Sequence, residues 1–600
     1  MRATSAIALK GRREAHGAVL AAAAGLLALP SAGLAQGIPQ PTREELDPGR
    51  FSRPELPAGP RLSIEGGIER GPCPFADGAY AGMTVNFSSV DFANPGPVTA
   101  ADLAASWSEF AGRDVPLATI CEVRDRAATM LRQRGYLAAV QVPPQRIDKG
   151  GTVRLDILTA RLVDVQARGE TGHSEKLIAA HLARLSAKPY FNTREAERQL
   201  LLLRDLPGYD VRLVLRPTGT APGEVTGEVS ISRQPYELIA SVQNLATRET
   251  GRFGGFVQFA ANDLIGLGDR TAISLYNSAQ LHEQTVLQLQ HDLSIGADGL
   301  RLGGKILHGW GRPDVLDGRI RTRSLIGQLT LSYPFVRRQT HSLYGSGGVE
   351  LINQAVNFAG APLSRDRLRV LFGRVAFDAI DGDSLRGSGG FSANEPRWRA
   401  GAGIELRQGI AGLGASRRCK PVSACLPPND TPSNLLANPA ASVVRLDGAF
   451  EYRPVPQVTF AVSPRAQYTR SQLLGYEQFS LGNYTVGRGF DPGIVQGDIG
   501  VGAMIELRAG RLAPRSQKAL AWQPYAFFDA AWAWSNDGGL TNDPRRLLSA
   551  GGGVRARWGD HADFNMALAV PLEKAGLQAR RGDVRLLFSL TTRIIPWLTQ

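Results

Sequence analysis

Six hundred residues exceed one ordinary hydrophobic core, so the chain divides into two or more domains. Its net charge of +13 comes mainly from Arg that is scattered rather than clustered, which argues against a nucleic-acid partner. Past the N-terminus no apolar run reaches the roughly twenty residues of a transmembrane helix, but strands need only about ten alternating residues and escape that test.

The first 35 residues read as a signal peptide. Arg2, Lys10, Arg12 and Arg13 form a basic start, Ala18 to Leu29 an apolar stretch, and Gly33-Leu34-Ala35 a small-residue cleavage site. A single-span anchor is the alternative, with an apolar run that is short for it. The mature chain is expected outside the cytoplasm. All four Cys lie in the exported part, and an even number there suggests two disulfides. Cys419 with Cys425 would close a small loop. Cys73 with Cys121 would tie an N-terminal extension to the first folded domain. Free or intermolecular thiols are the alternative. Neither pair has zinc-ligand spacing with His, so no metal site is expected.

Residues 36–74 are rich in Pro, Gly and charge and read as a mobile leader, with one capped turn at Thr42-Arg43-Glu44-Glu45-Leu46. Residues 75–160 then alternate element types. Met83 to Phe92 reads as a strand, Thr99 to Ala111 and Ile120 to Arg134 as helices, and Leu137 to Val142 and Thr152 to Leu158 as strands. Thr99 is a candidate N-cap, and Gly135 stands where a helix should end. The same order returns over 161–232: a strand at Leu162 to Ala167, helices at Ser174 to Ser186 and Thr193 to Arg204 with Thr193 at the capped start, and strands at Val211 to Leu215 and Glu224 to Ile231. Two successive copies of one topology form an internal repeat of small α+β modules.

From about 233 to 600 helical periods vanish and short alternating segments recur. Leu287 and Leu289 oppose Gln288 and Gln290. Leu368, Val370 and Phe372 oppose Arg367 and Arg369. Val584, Leu586, Phe588 and Leu590 oppose Arg585, Ser589 and Thr591. Apolar on one side and polar on the other is the pattern of a membrane barrel with a wet lumen. A soluble sandwich also alternates, but one of this length would be large. About sixteen candidate strands can be placed, an even number, as a closed barrel requires. Counted from the modules, the connections 409–441 and 469–499 fall at the outer end, and Arg453-Pro454-Val455-Pro456 makes a short turn at the inner one. The long inner connection at 379–397 has no explanation from sequence.

Within 469–499 lies Gly482-Asn483-Tyr484-Thr485-Val486-Gly487-Arg488-Gly489-Phe490-Asp491-Pro492-Gly493. If this stretch is buried, Arg488 needs a carboxylate, since an unpaired buried charge is too costly. The best candidate is Asp529, in Tyr525-Ala526-Phe527-Phe528-Asp529-Ala530-Ala531-Trp532. Strand parity puts Tyr525, Phe527 and Asp529 on one face and Phe528, Trp532 and Trp534 on the other. An exposed flexible Gly-Arg-Gly turn is the alternative. No catalytic constellation accompanies it: there is no His-x-x-x-His, Cys-x-x-Cys, Gly-x-Ser-x-Gly or ATP-binding loop, and Pro492 stands where a dinucleotide fingerprint needs its third Gly. The chain is not expected to be an enzyme or to carry a cofactor.

Taken together, these features resemble a known family. The two modules are similar to polypeptide-transport-associated (POTRA) domains. A sixteen-stranded antiparallel transmembrane β-barrel behind two of them resembles the two-partner-secretion transporters that export haemolysins and filamentous adhesins. In that family the sixth outer loop folds into the lumen with a Val-Arg-Gly-Phe or Val-Arg-Gly-Tyr motif, whose Arg pairs with an Asp of a Phe-x-Asp motif on strand thirteen. Arg488-Gly489-Phe490 and Phe527-Phe528-Asp529 match these segments. Val142-Pro143-Pro144-Gln145 resembles the family's Pro-x-Gln segment, and an ordinary Pro-rich connection is its alternative. The resemblance implies an outer-membrane translocator with its POTRA domains in the periplasm. It also implies client recognition at POTRA strand edges and an inward loop locked by Arg488 to Asp529. Its partners would be a large, secreted, β-helical client, outer-membrane lipid, and the barrel assembly machinery for its own insertion. An assembly factor for outer-membrane proteins and a passive pore are the alternatives. Three positions depart from the family. Gly487 precedes the Arg where Val or Ile is usual, which would make the loop more supple. The last strand does not end the chain with Phe but is followed by Ile594 to Gln600. The leader offers little helix for the family's plug.

Overall fold

The computed structural model describes residues 40–51, 62–64, 72–75, 78–219, 221–539, 543–575 and 581–596; the expected signal peptide lies outside them. The chain first forms a single helical turn, α1 (Arg43–Leu46), and a short strand, β1 (Leu62–Ile64). The first module follows with β2 (Thr84–Ala93), β3 (Asp114–Pro116), α2 (Thr119–Gln133), β4 (Ala138–Gln141) and β5 (Gly151–Thr159). Its sheet has the order β3-β2-β5-β4. Val123, Ala127 and Leu131 of α2 fall four residues apart and pack on Phe87, Val153 and Leu155 of the sheet.

One expected helix is different. Residues 99–111 form two 3-10 turns, Ala101–Ser106 and Ser108–Phe110, separated at Trp107, whose φ of −133° leaves the helical region. The N-cap position is Ala100 rather than Thr99, which stands one residue earlier with its hydroxyl accepting from the Asp102 N–H at 3.3 Å. Beyond that, Trp107 and Phe110 both turn onto the module core, and this packing overrides helix propensity.

The second module contains β6 (Arg161–Gly169), α3 (Glu175–Leu185), α4 (Thr193–Arg204), β7 (Tyr209–Pro217) and β8 (Glu224–Arg233). The sheet order is β1-β7-β8-β6, so the leader supplies an added parallel strand on the β7 edge. The N-cap of α4 is Asn192 rather than Thr193: the Asn192 side chain accepts from the Arg194 N–H at 3.0 Å. Thr193 instead donates its hydroxyl to the Gly135 carbonyl at 2.9 Å, bolting α4 to the end of α2. Gly135 has φ +90°, and a Cβ there would sit 2.6 Å from Asn192 Oδ1. Both the helix stop and the close contact between modules therefore require Gly.

A closed antiparallel barrel follows. Its first eight strands are β9 (Tyr236–Gln243), β10 (Gly254–Asn262), β11 (Arg270–Ser278), β12 (Gln284–Ile295), β13 (Leu300–Gly311), β14 (Ile320–Arg337), β15 (His341–Phe358) and β16 (Ala361–Ile380). The next three are β17 (Trp398–Gly409), β18 (Ser442–Val455) and β19 (Val458–Tyr468). A small internal hairpin, β20 (Phe479–Leu481) with β21 (Val495–Gly497), interrupts the series without joining the wall. The wall then resumes with β22 (Ile499–Ala509), β23 (Leu520–Trp534), β24 (Arg545–Trp558), β25 (Ala562–Pro571) and β26 (Arg585–Ile595), which pairs back onto β9. Sixteen strands thus form the wall. Leu287, Leu289, Leu325 and Leu329 face outward and are exposed, while Gln288, Ser324 and Gln354 face inward and are buried. An apolar exterior around a polar interior is the inverse of a soluble protein and fits lipid.

Three wall strands exceed their expected length. β14 and β15 each have 18 residues and β16 has 20, with only Ala359 and Gly360 between the last two. Ala359 at φ 49° and Gly360 at φ 89° make the left-handed pair that tight hairpins use. The long connection 381–397 is a docked structure. Asp381 accepts from the Ser384 N–H at 3.1 Å to start a 3-10 turn. Glu395 accepts from the backbone N–H groups of Leu512 and Ala513 at 2.7 and 3.1 Å, gluing this connection to the β22–β23 connection on the same end.

The leader is not mobile where it is described. Residues 40–46 run inside the barrel. Gln40 donates to Ser364 of β16 at 3.0 Å, Gln354 of β15 to the Pro41 carbonyl at 3.0 Å, and Gln284 of β12 to the Glu45 carbonyl at 3.2 Å. Glu44 pairs with Arg465 of β19 at 3.4 Å, and Leu46 is buried among Phe256, Tyr276 and Leu307. The capped turn read from Thr42 forms as a full capping box with Glu45. Polar wall groups supply the partners that water would otherwise have supplied, and this fixes the segment.

Candidate functional site

The connection between β19 and β22, sixth at the end away from the modules, folds into the lumen. Glycine makes the path available at two points. Gly487 adopts φ +118°, which side-chain-bearing residues rarely do. A Cβ on Gly489 would lie 2.8 Å from the Pro571 nitrogen and 2.9 Å from Ser549 Cβ, so the loop can touch the wall there only without a side chain. Val486 and Phe490 are fully buried with Leu481, Ala531, Ala533 and Leu547. Between them the Arg488 side chain is aimed at β22 and β23.

Arg488 donates from its backbone N–H and Nε to Asp529 Oδ2 at 2.8 and 3.0 Å, and from Nη2 to Oδ1 at 2.6 Å. Its Nη1 reaches Glu506 on β22. The guanidinium carbon sits 3.8 Å from the centre of the Phe527 ring. Asp529 is fully buried and also accepts from the Ser549 hydroxyl at 3.2 Å. A planar fork can serve two carboxylates and a ring face together; an ammonium cannot. Glu506 is shared further, accepting from Arg555 at 2.7 and 2.9 Å and from Arg508 at 2.7 Å. Tyr525, Phe527 and Asp529 line the interior, and Phe528 faces outward.

Sequence reasoning missed two other attachments of this loop. Glu477 accepts from Arg407 of β17 at 3.0 and 2.6 Å and from Arg445 of β18 at 2.8 Å. Asp491 pairs with Arg585 of β26 at 2.7 Å and lies 3.4 Å from Arg252 in the β9–β10 connection. The loop is therefore fastened to three separate parts of the wall. The signal was available for Glu477 and Asp491 as two of the three acidic residues of a segment whose wall partners are Arg-rich, but only closure of the barrel brings them together, while the third, Asp498, accepts from the backbone N–H groups of Leu473 and Asn536. Glu506 sat on an expected strand and gave no sign of its reach.

The disulfides join Cys73 to Cys121 at the start of α2, and Cys419 to Cys425 in the β17–β18 connection, with Cα separations of 5.8 and 5.6 Å. Gln145 acts in place of a strand. Its amide accepts from the Arg154 N–H at 2.7 Å and donates to the Arg154 carbonyl at 2.7 Å, continuing β5's hydrogen bonding where β4 has ended at Gln141.

Comparison with known proteins agrees with this architecture. The sequence model of the haemolysin secretion/activation protein family ShlB/FhaC/HecB matches residues 391–556, which include the inward loop and β23. The heme/hemopexin transporter protein HuxB of Haemophilus influenzae is 25% identical over 182 residues, 30% of this chain and 32% of that protein. The match thus spans about a third of that relative's own length. The outer membrane transporter CdiB-2 of Burkholderia pseudomallei is 23% identical over 254 residues, 42% of this chain and 39% of that protein. The solved structure of CdiB from Escherichia coli superposes with a TM-score of 0.67 at 16% identity, covering 98% of this chain and 100% of that one, a likeness of fold. In its inward loop and adjoining wall strands the chain is similar to the two-partner-secretion outer-membrane transporters, and it shares their barrel fold.

Proposed function

We propose that this chain exports an unfolded partner polypeptide from the periplasm to the cell surface or medium. The observation that carries the reading is how the lumen is closed. α1 and the inward loop fill it, leaving a cavity of about 340 Å³ lined by Arg43, Glu44, Glu350, Arg374, Arg407 and Arg465. The segment around α1 is held mainly by hydrogen bonds and ion pairs to a charged wall, with Leu46 its buried apolar anchor, while the inward loop adds apolar packing through Val486 and Phe490. Net, such bonds contribute about 1 kcal/mol each, and water or a passing backbone can replace them. A passive pore for small solutes has no use for a removable plug. An unfolded chain does, because its backbone N–H and C=O groups find no partners in the bilayer core and would find them along this wall. Arg488, Glu506 and Asp529 fix where the inward loop sits, so the loop narrows the route at a set position.

Client recognition falls to the POTRA edges. With β1 covering part of β7, the second sheet ends in the three-residue β1 on one side and the nine-residue β6 on the other, so β6 is its long open edge among the described residues. Main-chain pairing there tolerates varied client sequence. Client folding outside would draw the chain through by mass action. The test compares proteins in the medium of a wild-type strain and a strain lacking this gene. Loss of one large secreted protein, with other outer-membrane barrels unchanged, supports export. A general fall in barrel proteins assigns the chain to assembly instead.

A further inference from the structure

The outward apolar rows of the barrel differ in height around its circumference. On β14, Leu325, Leu329, Leu331 and Phe335 are all exposed. They span ten residues, about 25 Å along the barrel axis at 3.3 Å per residue and a 40° tilt, which matches the lipid-facing band of an outer-membrane barrel. Beside the closing strand the row is shorter. Tyr236 of β9 pairs with Ala261 and Val242 with Gly255, so the exposed Tyr236 and Val242 together with Phe253, Val257 and Phe259 of the β10 row cover eight residues of height, or about 20 Å. The band is short by roughly 5 Å there.

The β10–β11 turn lies at the low end of this short row, on the periplasmic side. It carries Leu264, Ile265 and Leu267, which are 48%, 57% and 42% exposed. The turn is rigid. Asp269 accepts from the N–H groups of Leu264, Ile265 and Leu267 at 3.0, 3.0 and 3.5 Å. Its other face is committed to the second POTRA module. Buried Asp263 accepts from the His173 N–H at 2.7 Å, the Ser174 N–H at 3.2 Å and the Tyr209 hydroxyl at 2.6 Å. Gly266 lies against the His173 carbonyl and Gly268 against Leu206. With the glycines turned to the module, the three apolar side chains face away from it. The turn carries the chain five residues past Phe259, enough to make up the missing height.

We infer that the 264–267 turn is a membrane foot: Leu264, Ile265 and Leu267 insert into the inner-leaflet lipid of the outer membrane and extend the apolar band where β9 and β10 are short. Because the same turn is knotted to the second module through Asp263, the bilayer sets the height of that module beneath the barrel mouth. The inference depends on the barrel standing in lipid and not on what it transports.

All four native cysteines are paired, so a single new thiol can be labelled. Ile265→Cys carrying a bimane fluorophore is reconstituted into vesicles of phosphatidylcholine or of its acyl-brominated analogue. Val257→Cys on the lipid-facing row and Val163→Cys on exposed β6 are the references. The foot predicts a loss of bimane fluorescence in brominated lipid close to that at Val257. A loss no greater than at Val163 overturns it and leaves a protein partner as the occupant. Leu264→Cys is read in the same way, so the result does not hang on one folded variant.

Discussion

Asp529 accepts three hydrogen bonds from the one residue Arg488, through its backbone N–H as well as its Nε and Nη2. The main-chain bond fixes the loop backbone, and the side-chain bonds neutralise a carboxylate that has no access to water. Arg488→Ala removes the charge and leaves Asp529 buried and unpaired, a loss of about 3–5 kcal/mol for a buried pair. Arg488→Lys keeps the charge but cannot also reach Glu506 and lie flat on Phe527. Both variants should insert as folded barrels, shown by the heat-modifiable band shift, yet release little partner protein to the medium. Wild-type export by Arg488→Lys would show that a point charge suffices and that the fork geometry is irrelevant.

The second prediction concerns the plug. Residues 40–46 are held by polar contacts to β12, β15, β16 and β19 and by the buried apolar side chain of Leu46. Deleting residues 40–51 removes those contacts without touching the wall. In planar lipid bilayers the variant should show single-channel conductance several-fold above wild type. Equal conductance would mean that the inward loop alone seals the lumen.

These two cases show what a sequence can disclose. Alternation made the barrel legible because the side-chain period of a strand is two and the two faces meet opposite solvents: Leu287 and Leu289 stand against lipid, Gln288 against the lumen. Strand number and the parity that puts Asp529 inside follow from the same periodicity. The Thr42–Glu45 capping box was legible too, but its place inside the barrel was not. Nothing local to residues 40–46 encodes Ser364 or Gln354, more than three hundred residues away. The 3-10 turns at 101–110 were misread as one helix because Trp107 answers to the module core. Glu477, Asp491 and Glu506 stayed hidden because a single acidic residue on a strand or loop looks alike whether water or an Arg across a lumen receives it.

Gln145 offers a test within the first POTRA module. Its side-chain amide satisfies both backbone groups of Arg154 at 2.7 Å, as a neighbouring strand would. Gln145→Ala should lose about 1 kcal/mol locally. Hydrogen exchange at the Arg154 amide should then quicken roughly fivefold, while Leu155, whose side chain is in the core, changes little. An unchanged Arg154 rate would mean that the amide pairing does not persist in solution. Faster exchange along all of β5 would mean that Gln145 holds the sheet and not only its edge.

The last prediction rests on His181 of α3, which is 2% exposed and faces a cavity of about 110 Å³ between the second POTRA module and the barrel. Its Nδ1 lies 3.0 Å from Gln199 Oε1, which requires Nδ1 to carry the proton and donate. Burial disfavours the imidazolium more than this bond and nearby Asp298 favour it, with Arg184 adding repulsion, so the pKa is lowered from the ordinary 6.5. Well above pH 6.5 the ring is neutral in both folded and unfolded chains and contributes no pH dependence. Below that value the unfolded chain takes up a proton that the folded module resists, so stability falls until the folded pKa is passed. Protection factors for amides in α3, which already remove the chemical effect of pH, should therefore decline as pH drops from 6.5 toward 5. His181→Gln keeps a donor for Gln199 without a titrating group and should give a flat profile. A decline of equal size in His181→Gln would move the effect to another group, with the Arg184–Asp298 pair across the same joint the next to be tested.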